Sequence, residues 1–178
     1  MGTRLPDVVA EGFVRLTGMR RKRYVLAPGL LAVATVLGVA PAAAALDTDN
    51  LYSVEACKDP GASKFKFHIY YNSGLNGSYR NIGYAVYNFN DVPDGVVGVT
   101  SALRFCQIGA SAPWPGSNQL IKNNAASGEN DHYKYYANVY YYSGYKGAHD
   151  IMGPYQHHDR FVNVYNENAS FQFTSSAK

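Results

Sequence analysis

From residue 46 onward the apolar positions alternate rather than recur at helical spacing. Phe65, Phe67 and Ile69 alternate with Lys66, His68 and Tyr70, and residues 135–142 read YYANVYYY, aromatic and β-branched. A period of two over short runs, bounded by Gly, Asn and Ser, predicts strands and no helical face. The pattern also repeats. Residues 69–77 read IYYNSGLNG and residues 139–147 read VYYYSGYKG, so Tyr70, Tyr71, Ser73, Gly74 and Gly77 correspond to Tyr140, Tyr141, Ser143, Gly144 and Gly147. A second match pairs IKNNAAS at 121–127 with VYNENAS at 164–170. From repeat glycine to repeat serine is 50 positions in the first half and 23 in the second. The first half therefore carries an insertion, expected within 93–116. Two repeats of strand, hairpin and strand predict two sheet units packed into one all-β sandwich. Gly77 and Gly147 are expected at positive φ, with Leu75 and Tyr145 lying over their bare α-carbons.

The upstream residues have a different character. Four cations, Arg20 to Arg23, precede an apolar run, Tyr24 to Ala40, and a small-residue stretch, Ala42 to Ala45. This is the tripartite form of a secretory signal peptide, with cleavage after Ala44 or Ala45. A membrane anchor is the competing reading, because so long an apolar run nearly spans a bilayer. Pro28, Gly29, Pro41 and the alanines favour cleavage. Residues 1–18 then read as an upstream extension, 19–45 as the leader, and 46–178 as the exported domain, with no membrane contact after processing. Once the leader is removed, the +3 formal charge goes with it: residues 46–178 hold 10 Lys/Arg against 11 Asp/Glu. A nucleic-acid footprint is unsupported. Export also changes the meaning of the cysteines. Cys57 and Cys106 are the only two, and an oxidising compartment favours a disulfide between them.

The aromatic-x4-aromatic-x-Gly spacing of Tyr140, Tyr145 and Gly147 resembles the first-hairpin signature of the βγ-crystallin Greek-key motif. Tyr70, Leu75 and Gly77 match it with Leu substituted. The later element resembles that family's calcium pattern. Asn123, Asn124 and Ser127 fit, with Gly128 in place of the final Ser; Asn166, Glu167 and Ser170 are a looser match, with Phe171 in that place. Taken together, YYNSGLNGSY, KNNAAS, YYSGYKGAHDI and YNENASF are similar to the actinobacterial secreted peptidase inhibitor family. That family is related to a streptomycete metalloproteinase inhibitor of βγ-crystallin-like fold. The resemblance covers most of 57–173 outside the insertion. It implies a small secreted sandwich of two Greek-key motifs, monomeric and non-enzymatic, whose partner is a secreted protease, a metalloprotease among the candidates. One departure is plain. The characterised inhibitor clasps its reactive loop with a disulfide between near neighbours, which Cys57 and Cys106 are too far apart to form.

Candidate chemistry is sparse. There is no G-x-S-x-G elbow, no H-E-x-x-H and no phosphate loop. Asp91 and Asp94 flank Pro93 in a turn context, where short acids cap backbone groups. His157 and His158 would point to opposite faces of a strand, which argues against one shared zinc ion; a solvated loop is the expectation there. No cofactor is required. Calcium is the candidate ion: Asn, Ser and backbone oxygens suit a hard cation, but only Glu167 brings formal charge; the alternative is that these Asn and Ser side chains satisfy turn backbone groups. The expected inhibitory loop is Pro113-Trp114-Pro115, whose two φ-locked prolines lower the ordering cost of docking. The alternatives on this scaffold are a calcium-binding structural or stress module and a secreted toxin or carbohydrate-binding protein with Tyr133 to Tyr145 as stacking platform.

Overall fold

The computed structural model describes residues 44–177. The upstream extension and all but the last two residues of the expected leader lie outside the described residues. Helix α1 (Ala44–Tyr52) comes first and crosses the expected cleavage point. Sequence alternation predicted no helix here, and nine residues are too few to hold a helix alone in water. Tertiary contact supplies the difference, because the buried Arg80 side chain binds the carbonyls of Asn50 and Leu51 at the helix end. Two short 3-10 turns follow, Val54–Cys57 and Pro60–Ala62, capped by the side chains of Ser53 and Asp59.

Among the described residues nine strands follow: β1 (Phe67–Asn72), β2 (Asn76–Ile82), β3 (Val92–Pro93), β4 (Thr100–Ser101), β5 (Ser127–Asn130), β6 (Tyr136–Tyr142), β7 (Lys146–Met152), β8 (Gln156–His158) and β9 (Ser170–Thr174). They form one sheet in the order β2-β1-β5-β8, another in the order β7-β6-β9, and the small hairpin β3-β4. Val86 completes the second sheet by bridging Phe171 of β9. Each unit thus keeps its first, second and fourth strands in its own sheet and lends its third to the other. In each, the fourth lies beside the first, as in a Greek key. The expected all-β, βγ-crystallin-like sandwich of two Greek-key motifs is the observed architecture.

The duplication runs through the hydrogen bonds. Phe89 N–H donates to Ala169 O, and Phe161 N–H donates to Ala126 O, both at 2.9 Å. Asn123 N–H donates to Asn168 O, and Asn166 N–H returns the contact to Ala125 O. With Phe89 matching Phe161 and Ile121 matching Val164, the insertion is 90–120, where the second unit has only Val162 and Asn163. It is longer than the expected 93–116, and it is not merely a loop. Leu103 and Phe105 enter the core, held by Leu103 N–H to Phe89 O and Phe105 N–H to Gln119 O.

Phe67 and Ile69 of β1 face Ala137 and Val139 of β6 in this core, and Phe67 stacks on Phe171 with centroids 4.2 Å apart. The alternation of β1 was half right. His68 and Tyr70 are buried as well: the N-terminal arm covers His68 by way of Asn81, and Tyr70 packs on Tyr79 with its hydroxyl donating to Glu129. Asn81 donates from its amide to the carbonyls of Glu55 and Lys58, leaving its oxygen to accept from His68 Nδ1 at 2.7 Å. The arm is tied down by the Cys57–Cys106 disulfide, with Cα atoms 5.5 Å apart. Closing a loop of this size stabilises by about 4 kcal/mol in the chain-entropy view.

Burial holds the His68 imidazole below its ordinary pKa, against the upward pull of Asn81, of Asp131 3.5 Å from Nε2, and of Glu129. The folded protein therefore takes this proton at lower pH than the unfolded chain does. The stabilisation is complete above about pH 6.5 and is lost as pH falls through the folded value. Thermal melts at about pH 7.5 and pH 5.5 should show a smaller drop in Tm for His68→Gln than for the wild type. Equal drops would place the acid sensitivity elsewhere.

Candidate functional site

Each unit presents a folded hairpin closed by a serine. Gly74 and Leu75 are both left-handed, as are Gly144 and Tyr145, giving turns with positive φ at two consecutive residues. Ser127 Oγ accepts from Leu75 N–H at 3.2 Å and donates to Asn72 O at 2.6 Å. Ser170 Oγ accepts from Tyr145 N–H at 3.1 Å and donates to Tyr142 O at 2.7 Å. Each hairpin also reaches the exchanged strand, through Gly74 N–H to Asp159 O and Gly144 N–H to Tyr87 O. Gly77 and Gly147 have the expected positive φ, but their neighbours differ from the expected ones. A Cβ on Gly147 would sit 2.7 Å from the Tyr142 ring, and one on Gly77 would sit 2.9 Å from Pro115 O. Tyr145 instead packs edge-on against Tyr87 and Tyr140.

The two calcium-like elements meet at a cleft of about 620 Å³ lined in part by Lys122, Asn123, Asn166 and Glu167. Asn123 and Asn166 are left-handed at φ 61° and 55°. Asn124 donates its amide to Leu120 O. Ser127 and Ser170, the expected hydroxyl ligands, each spend a donor and an acceptor on their own hairpin. Lys122 adds an ammonium to the cleft, donating to Asn88 Oδ1 at 3.2 Å and Ser143 Oγ at 3.4 Å. It offsets the one formal negative charge, that of Glu167. The donors left over are Asn side chains, Glu167 and carbonyls, a thin set for a hard cation.

Among the described residues no group of three or more His, Cys, Asp or Glu is placed to share a metal ion. His157 and His158 lie on β8 rather than in a loop. Nε2 of His157 is 3.7 Å from Asp159, whereas Nδ1 of His158 is 3.5 Å from the buried Asp150. Asp94 is a turn residue, its Oδ1 accepting from Val96 N–H. Much of the tyrosine stretch is spent on packing: Tyr140 is buried, Tyr141 lies against the core, and Tyr133 and Tyr142 stay exposed.

The insertion presents two segments. Pro113, Trp114 and Pro115 are exposed, but they are fastened to the body. Trp114 N–H donates to Ile108 O, Ser78 N–H donates to Pro115 O at 2.8 Å, and Gly116 lies against the Tyr71 ring. The second segment was not singled out from sequence. Between β3 and β4, Val96 and Val97 project into solvent with Val99 beside them, lining an apolar surface with Gly95 and Gly98. The run GVVGV could have revealed it, since valines between glycines at a turn have no core to enter.

The chain matches no family model and no curated protein. It is similar to a solved structure described as "Evolution of the eye lens beta-gamma-crystallin domain fold", with 10% identity and a TM-score of 0.39. The match covers 64% of this chain and 89% of that chain. A likeness this distant carries no functional argument; the strand exchange above is what defines the fold.

The serines provide the test of this region. Ser127→Ala and Ser170→Ala should each destabilise by about 1–3 kcal/mol, the penalty for stranding a buried amide and carbonyl. The loss should be equal in calcium and in chelator, as measured by denaturant melts. A loss seen only in calcium would make the serines ion ligands.

Proposed function

We propose that this is a non-enzymatic, secreted binding module of the peptidase-inhibitor kind, working by insertion of the β3-β4 tip into a protease cleft. The observation that carries the reading is the aliphatic tip itself: Val96 is 62% exposed and Val97 wholly so, on a unit whose internal duplicate has no such hairpin. Its conformation is set before contact. Asp94 Oδ1 accepts from Val96 N–H at 3.0 Å, Val99 N–H donates to Val96 O at 3.0 Å, and Asp94 N–H donates to Val99 O at 3.3 Å. At its base Val92 is buried, and Thr48 Oγ1 reaches Pro93 O. A tip already ordered loses little entropy on docking, so its valines keep more of their burial energy. The likeness of the paired hairpin and Asn–Ser motifs to secreted inhibitors supports the same reading. On this reading the contact lies at Val97 rather than at Trp114, because Val97 is wholly exposed while Trp114 is only half so.

Calcium binding is the second reading, favoured by the paired left-handed asparagines and Glu167 at one cleft and opposed by Lys122 in the same place. A secreted module fits the disulfide, and among the described residues no helix is long and apolar enough to cross a membrane.

Titration of purified protein against metallo- and serine proteases should give stoichiometric inhibition of at least one. Val97→Asp should weaken it by about 2 kcal/mol or more, the scale of a lost central anchor, with Tm unchanged. Trp114→Ala should change inhibition little. Inhibition of none of the panel, or inhibition indifferent to Val97→Asp, would overturn the proposal.

A further inference from the structure

Arg80 and Asp150 stand at the same register position in the two units, opposite Ile69 and Val139 respectively. Both are buried, at 7% and 2% exposure, and they carry opposite charge. Asp150 is satisfied by the short link of the second unit, accepting from the N–H groups of Val162, Asn163 and Val164. Arg80 is the inverse. It donates from Nε and Nη2 to Asn50 O, from Nη2 to Leu51 O at 2.8 Å, and from Nη1 to Arg104 O at 2.8 Å. Four of its five N–H groups are used, all on neutral carbonyls. Among the described residues it has no ion pair.

Burial lowers the Arg80 pKa to about 10, so the group is still cationic at neutral pH. The α1 terminus it caps offsets only about half an elementary charge. Beside it stands a second cation. Arg104 is exposed and donates from Nη1 to Asn118 O, while the rest of its guanidinium has no acceptor among the described residues. Both arginines line a cleft of about 480 Å³ whose other walls include Tyr52, Phe105 and the Cys57–Cys106 bridge; none of its lining residues is acidic. A buried cation without an anion is an unfavourable arrangement that an anion would relieve. A free guanidinium edge matches the two oxygens of a carboxylate or phosphate.

We propose that this cleft is an oxyanion-binding site. It takes a carboxylate or phosphate group attached to a short apolar portion. Arg104 grips the oxygens, Arg80 supplies positive field from behind, and Tyr52 and the half-buried Leu51 receive the carbon skeleton. The site is separate from the hairpin tip and does not depend on the inhibitor reading. A purely structural Arg80 would explain the helix cap but not the gathering of two guanidinium groups on one cleft whose lining holds no acid.

The test follows the arginine Nε–H signals of the purified protein by NMR. Inorganic phosphate, acetate and benzoate are added in turn at constant ionic strength, with chloride as reference. Saturable shifts at Arg80 and Arg104 are expected. Benzoate binding more tightly than acetate would identify a carboxylate source with an apolar body, and phosphate binding tightest would identify a phosphate source. Arg104→Gln should weaken binding at least about tenfold, or 1.4 kcal/mol, and lower the ligand-free Tm little, because the one hydrogen bond it loses, to Asn118 O, is exposed and Arg80 holds only the Arg104 main chain. The proposal fails if no probe gives saturable shifts at both arginines, or if Arg104→Gln binds as the wild type does.

Discussion

A hydroxyl buried under each hairpin organises this protein. Ser127 and Ser170 each accept one backbone N–H from a left-handed turn residue and donate to one carbonyl at the start of the same turn. Two consecutive positive-φ residues leave backbone groups that no ladder can pair, and a stranded polar group in a sheet interior costs about 1–3 kcal/mol. The serine resolves both ends of that problem at once. It also joins the start of the fourth strand to the first hairpin, which sets the register of β5 on β1 and of β9 on β6. With the hairpin folded, its glycine N–H is free to meet the partner unit's third strand.

That last contact makes the sandwich one body rather than two. Val86 pairs with Phe171 of the second unit, and His158 pairs with Gly128 of the first. The Phe67–Phe171 stack lies between the sheets. Because the third strands are exchanged, the link from third to fourth strand is the place where each unit tolerates change. The second unit closes it with two residues clamped by Asp150. The first opens it into the insertion, anchors that insertion with Leu103, Phe105 and the disulfide, and uses Arg80 where its twin has Asp150. Both proposals of activity arise from this single asymmetry: the valine tip projects from it, and the cationic cleft lies where it meets the helix.

The duplicated hairpins, the disulfide, the two-unit sandwich and the presence of an insertion were all legible in the sequence. They rest on local patterns: a period of two, glycine spacing and a lone cysteine pair. What was missed depends on long-range cover. His68 alternates with the apolar positions of β1, but alternation records one buried face, and nothing in β1 announces that the arm, through the carbonyls of Glu55 and Lys58 on Asn81, covers it on the other. The helix at Ala44–Tyr52 has its end held by an arginine 29 and 30 residues away from its hydrogen-bond partners. For the serines the sequence leaves two roles open, calcium ligand or partner of turn backbone groups, and the geometry shows them hydrogen-bonded into the hairpins. Trp114 drew attention as the one tryptophan of the domain, while the valines lacked any chemical signature beyond being apolar in a turn.

Native-state amide hydrogen exchange tests the central claim, that strand exchange and paired hairpin locks fuse the two units into one cooperative structure. The amides of Val86, Phe89, Phe161 and Phe171 each bridge the two units. They should exchange only through global opening, with a common free energy equal to that from denaturant melts. If Phe161 and Phe89 exchanged with clearly different free energies, one unit opening while the other stayed protected, the units would be independent and the account contradicted.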